Sequence, residues 1–221
     1  LIKASFFDLT FIEVDVKISK DCIPLLLHDD NLERTTNGFG ICSDHDFNDL
    51  LMLDAGSWFN NNFSGEKILS LEECLQFLYK NNIGVNIELK PNKGKEEQNI
   101  IEIKKLLERK NFSNYFISSF DVLSLKIASS LMISAPKGFL ISEDNNKESY
   151  SLEDIINICI KYNCFSIGLD SKMVNSEIIQ FFKQKNLIIT VFTVNNLELA
   201  NYIFDCGADS IFTDRPDIVK I

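Results

Sequence analysis

From Phe11 to the C-terminus, short β-branched, aromatic and aliphatic runs alternate with longer segments whose apolar residues recur at helical spacing. The runs FIEVDVK (11–17), PLLLHD (24–29), VNIELK (85–90), YFISSF (115–120), KGFLIS (137–142), FSIGLD (165–170), IITVFTV (188–194) and SIFTD (210–214) predict strands. Helices are predicted over 71–81, 96–110, 121–131, 151–162, 174–185 and 196–205. Ser70 precedes Leu71-Glu72-Glu73, Ser151 has Asp154 three residues on, and Asn195 stands ahead of the last helix, all start signals. Gly84 and Gly207 sit where a left-handed residue would end a helix.

One connection breaks the alternation. Only Ile18 to Ile23 separate the first two strands. A parallel crossover takes roughly a dozen residues or more, so the second strand must return antiparallel. Residues 30–66, rich in Asn, Asp and Gly and without a period, read as a structured insertion, and loops of that length are usually functional. No G-x-G-x-x-G opens a helix, which removes the dinucleotide-binding reading. A complete barrel takes about 250 residues, so one more unit on 221 residues would complete it. The expected fold is α/β: a TIM-type (β/α)8 barrel lacking its first β/α unit, with residues 1–221 as one domain.

Composition narrows the partners. With 22 basic and 32 acidic residues the formal charge is −10, a poor match for nucleic acid, whose phosphates demand clustered Lys and Arg. A single small phosphate stays possible if a metal ion reverses the local field. No window reaches the roughly 18 uninterrupted apolar residues of a membrane span, so no stable membrane insertion is expected. The cysteines at 22, 42, 74, 159, 164 and 206 form no C-x-x-C pair, which points to reduced thiols and a reducing, cytoplasmic compartment. Nothing in the sequence reports the oligomeric state.

In a barrel, chemistry collects at the C-terminal ends of strands, so polar residues inside apolar strands matter most. Glu13 and Asp15 are two apart and share one face of their strand; Glu88 and Lys90 do the same in theirs. Burying three carboxylates near a barrel mouth is costly unless a cation relieves it. Oxygen-only, sulfur-free ligation suits Mg2+ or Ca2+. The bland alternative is a set of surface ion pairs. His28 ends its strand beside Asp29 and Asp30, and the antiparallel return should bring it near the level of Glu13. Acidic neighbours can orient an imidazole for general acid–base work. His45 follows no strand and reads as structural.

Taken together, FIEVDVKISKDCIPLLLHDDNLERTTNGFG, LDAGSWF (53–59), IELKP (87–91), ISSF (117–120), VFTVN (191–195) and GADSIFTDRPD (207–217) resemble the glycerophosphodiester phosphodiesterase family. Order and spacing agree from about residue 10 onward, and the bacterial cytoplasmic type is the most similar. The resemblance implies metal ligation by Glu13, Asp15 and Glu88, catalysis by His28, a phosphate contact from Lys90, and substrate contacts from Phe192 and Trp58. Phe192 replaces an aromatic that is often Trp or Tyr, so it offers no donor. The family's opening H-R-G strand and P-E-N-T loop are not found, and residues 1–10 are expected to lie in the helix after that strand.

The implied activity is metal-dependent hydrolysis of a small glycerophosphodiester to sn-glycerol 3-phosphate and an alcohol, serving lipid and glycerol metabolism. Two other readings are a non-catalytic phosphodiester- or protein-binding barrel, and a related membrane-lipid phosphodiesterase. The last needs an exposed apolar or basic lip at the barrel mouth. The cluster SWFNNNF (57–63) could supply one, but is expected to fold down as the insertion's own small core.

Overall fold

A computed structural model describes residues 7, 9–143 and 150–219; the helix expected over residues 1–10 falls largely outside them. The chain divides into two compact units, Thr10–Tyr115 with Ser130–Met132, and Phe116–Ser129 with the residues from Ile133 onward.

The first unit carries strand β1 (Phe11–Ile18), strand β2 (Pro24–Leu26), the short helix α1 (Phe47–Leu50), helix α2 (Leu71–Asn81), strand β3 (Gly84–Leu89) and helix α3 (Glu96–Lys110). As the short connection required, β2 returns antiparallel, pairing Val16 with Leu26 and Ile18 with Pro24. β3 lies parallel to β1 and sets Glu13 beside Asn86 and Asp15 beside Glu88. All six β3 residues are buried, with Val85, Ile87 and Leu89 on one face and Asn86 and Glu88 on the other. The Ser70 hydroxyl accepts from Glu73 N–H while Glu73 reaches back to Ser70 N–H, so α2 starts with a complete capping box.

Gly84 does not end α2. Asn82 takes the left-handed position at φ 55°, and Gly84 opens β3, where a Cβ would come within 2.4 Å of the Phe11 ring. That glycine answers a close approach of neighbouring strands. Gly207, at φ 103°, does occupy the left-handed region after the last helix.

The second unit repeats strand and helix: β4 (Tyr115–Ser119), α4 (Val122–Leu131), β5 (Lys137–Ile141), α5 (Leu152–Lys161), β6 (Cys164–Asp170), α6 (Ser176–Lys183), β7 (Ile188–Phe192), α7 (Leu197–Asp205) and β8 (Ser210–Ile211). Each strand pairs parallel with the next. Phe139, Ile167, Ile189 and Val191 of the sheet pack with Ile155, Ile179, Phe182 and Ile203 of the helices in one core. Asn196, not Asn195, caps α7, its side chain accepting from Leu199 N–H. Asn195 instead ties the chain after β7 to the chain after β8, accepting from Asp214 N–H at 2.9 Å.

Strands β2, β7 and β8 end earlier than their apolar runs, although cross-strand bonds run on past them, from Leu27 N–H to Asp15 O, Phe212 N–H to Val191 O and Val194 N–H to Phe212 O. All six cysteines are free, and burial pushes the Cys42 thiol up to about 11 and the Cys74 thiol to about 12. Among the described residues no helix is long and apolar enough to cross a membrane.

Candidate functional site

Register brings the acids together. Glu13 and Asp15 project from one face of β1, and the parallel neighbour places Glu88 opposite Asp15. One carboxylate oxygen from each lies within 4.8 Å of the others. Lys90 Nζ stands 3.0 Å from Asp15 Oδ1 and 3.1 Å from Glu88 Oε1. Three carboxylates thus share one ammonium where β1 and β3 lie side by side.

Burial, followed by the Asp15 charge, raises the Glu88 pKa despite Lys90. Burial pulls the Lys90 ammonium down, but the Glu88 and Asp15 carboxylates outweigh it and the net shift is upward. Lys90 thus offsets only part of the penalty on the Glu88 carboxylate. Its donors are carboxylate oxygens alone, the donor chemistry of a hard divalent cation.

His28 is exposed, with Nδ1 2.6 Å from Asp29 Oδ1. Asp29 also takes a two-pronged contact from Arg34, Nε to Oδ2 at 2.5 Å and Nη2 to Oδ1 at 2.8 Å. Arg34's hydrogen bonds, with a further one from His28, hold the Asp29 carboxyl far below the usual carboxylate range. An ionised Asp29 can only accept, so the network assigns a hydrogen to Nδ1. Arg34 was not singled out from the sequence. Its signal is the run D-D-N-L-E-R, which sets Arg34 five residues after the acid it clamps, Asp29. His45 Nε2 lies 3.1 Å from Phe39 O, a contact that braces the insertion.

The insertion is organised by Asp54. Its carboxylate accepts from the backbone N–H of Gly56, Ser57 and Gly65 and from the Ser57 hydroxyl. A Cβ on Gly56 would stand 1.9 Å from Phe63 O, so the loop closes there only around glycine. The expectation that SWFNNNF folds inward is overturned: Trp58, Phe59 and Phe63 are 51 %, 71 % and 39 % exposed. Polar closure around Asp54 spends the loop's backbone on hydrogen bonds and leaves the rings outside, touching each other at 5.7 Å. The small core beneath consists instead of Leu25, Leu27, Leu32, Cys42, Leu50 and Ile68.

An open cleft of about 350 Å3 has Asp15, His28, Trp58 and Lys67 in its lining, with Leu27 and Ile68. That size suits a small ligand. Trp58 donates its indole N–H to Ala55 O at 2.9 Å. Phe192 closes β7 in the second unit, edge-on to Phe120 at 5.4 Å.

Parallel β/α units, with a carboxylate trio gathered on one face of β1 and β3, define an α/β protein with a candidate cation site. Comparison with known proteins sharpens this. The model of the glycerophosphoryl diester phosphodiesterase family matches residues 1–218. YhdW of Bacillus subtilis is 34 % identical over 219 residues, covering 94 % of this chain and 84 % of that one. The glycerophosphodiester phosphodiesterase of the same organism is 32 % identical over 222 residues, covering 94 % of this chain and 74 % of that protein. Among solved structures, the Oleispira antarctica phosphodiesterase OLEI02445, in complex with the product sn-glycerol-3-phosphate, superposes with a TM-score of 0.89 at 27 % identity. It covers 98 % of this chain and 86 % of that one. The chain belongs to the glycerophosphoryl diester phosphodiesterase family, and its fold class is the TIM-type barrel of that family.

Proposed function

We propose that the protein hydrolyses glycerophosphodiesters to sn-glycerol 3-phosphate and a free alcohol, using Mg2+ or Ca2+ held by Glu13, Asp15 and Glu88. The observation that carries this is the trio of carboxylates within 4.8 Å, in a chain of this family. When bound, the cation would offset the charge of the phosphodiester and of its transition state. Lys90 adds a positive contact for phosphate oxygens. His28, with Nδ1–H held by Asp29, presents Nε2 to take or give the proton that moves as the P–O bond to the alcohol breaks and a new P–O bond forms. Trp58, in the lining of the cleft that holds Asp15 and His28, serves as a substrate contact. Free cysteines suit a reducing, cytoplasmic setting, and the role fits recovery of glycerol phosphate in lipid and glycerol metabolism.

The experiment is release of glycerol 3-phosphate from glycerophosphocholine and glycerophosphoethanolamine by the natural protein, with and without EDTA. Release that EDTA abolishes and Mg2+ or Ca2+ restores is the expected result. No release under any metal returns the weight to a non-catalytic binding barrel.

A second reading, a phosphodiesterase acting on membrane lipid at the same bond, draws on one observation: Trp58 and its ring neighbours are exposed beside the cleft. Lysophosphatidylcholine run in the same assay separates the two. A turnover far below that of glycerophosphocholine removes the lipid reading.

A further inference from the structure

Lys17 is among the largest fully buried side chains, only 1 % exposed, although it carries an ammonium. Strand alternation puts it on the same side of β1 as Glu13 and Asp15. Its Nζ donates to Asp30 Oδ1 at 2.8 Å and to the Lys90 carbonyl at 2.7 Å. Asp30 is held from other directions as well. Its backbone carbonyl accepts from Cys42 N–H at 2.9 Å and from Asn92 Nδ2 at 3.3 Å. Asp30 lies two residues after His28, and Lys90 lies two residues after Glu88. One buried cation thus joins the turn that carries the histidine to the strand end that carries the acid and the lysine.

An apolar side chain would fill that space without the desolvation an ammonium suffers, so packing does not explain a lysine there. We propose that Lys17 is a positioning residue: through Asp30 and the Lys90 carbonyl it sets His28 in register with the Glu88–Lys90 end of β3. Lys17 touches no reacting atom in this scheme; it acts through His28. The proposal rests on the phosphodiesterase reading above.

The test uses the natural protein at saturating divalent cation with glycerophosphocholine. Its variants are Lys17→Met, Asp30→Ala, Asp30→Asn, His28→Ala and the double variant Lys17→Met/His28→Ala. A misplacement of about 1 Å can lower turnover as much as 10²-fold, so Lys17→Met and Asp30→Ala should lose roughly 10- to 100-fold in kcat with KM within about threefold. Asp30→Asn keeps an acceptor oxygen and should hold kcat within about threefold of the parent. In the His28→Ala background, Lys17→Met should cause no further loss, because its effect runs through the missing ring. Asp30→Ala keeps the test decisive if Lys17→Met does not fold, since the Asp30 side chain is 65 % exposed. Parent-like kcat in Asp30→Ala, or losses that multiply in the double variant, overturn the proposal while leaving the activity standing. No glycerol 3-phosphate release by the parent itself overturns both.

Discussion

Replacing Lys90 by Met keeps most of the apolar stem and removes the ammonium that stands 3.0 Å from Asp15 and 3.1 Å from Glu88. At an effective dielectric of about 20, each of those contacts amounts to about 5 kcal/mol of Coulomb attraction before desolvation. Desolvation takes back much of it, and removing one partner of a buried pair costs about 3–5 kcal/mol. Lys90 and Asp15 keep 25 % and 21 % side-chain exposure, so the lower end, about 3 kcal/mol, is the expected loss without metal. For a chain of this size that corresponds to a fall of roughly 6–12 °C in Tm. The two carboxylates left facing each other should then gain more from a divalent cation than the parent does. Saturation at 100 times Kd contributes about 2.7 kcal/mol to whichever protein it binds, so the gap narrows only by the variant's tighter binding, about 1.4 kcal/mol for each tenfold in Kd. Thermal unfolding of both proteins in EDTA and in excess Mg2+ or Ca2+ measures this directly. Equal Tm values in EDTA, or a Lys90→Met protein that neither cation stabilises, would refute the reasoning about charge at this site.

Other perturbations probe the remaining parts. His28→Ala should lower kcat by roughly 10²–10⁴-fold with little change in Tm, and unaltered turnover in steady-state assays would remove His28 from the mechanism. Arg34→Met removes the clamp on Asp29, a group whose folded pKa is depressed; that stabilisation is present above the unfolded value of about 3.9 and fades as pH falls below it. The Tm gap between parent and Arg34→Met should therefore narrow on acidification from about pH 6 to pH 3, and a gap that widens contradicts the assignment. Gly56→Ala forces a methyl into the space 1.9 Å from Phe63 O and should destabilise by about 1–3 kcal/mol. The chain's one tryptophan, Trp58, sits two residues away, so its fluorescence should shift in that variant and stay put if the loop tolerates the methyl.

Much of this architecture was legible in the order of residues because local rules and tertiary packing agree. The Ser70–Glu73 and Ser151–Asp154 boxes sit where helices begin, and the short link after Ile18 dictates an antiparallel return. The juxtaposition of Glu13, Asp15 and Glu88 followed from strand alternation plus parallel pairing, both strongly periodic. Three features escaped because their causes lie across space. Gly84 is set by the Phe11 ring of the neighbouring strand, which no local pattern announces. The rings of 57–63 stay outside because Asp54 gathers the loop's polar groups, whereas composition alone favours an inward cluster. Lys17 and Arg34 work through carboxylates 13 and five residues along the chain, reached by side-chain geometry rather than by spacing rules.

The antiparallel return of β2 also sets an order of assembly. Glu13, Asp15, His28 and Arg34 come from one local stretch that a hairpin can gather in microseconds. Glu88 and Lys90 arrive only when β3 closes the much longer loop through the insertion and α2, a non-local and slower step. In refolding monitored by pulsed amide exchange, Leu27 N–H, bonded to Asp15 O, should gain protection before Lys90 N–H, bonded to Val16 O. The acid pair and the histidine turn would thus exist first as a nascent, negatively charged hairpin, and the two residues that complete the cluster would be delivered by tertiary folding.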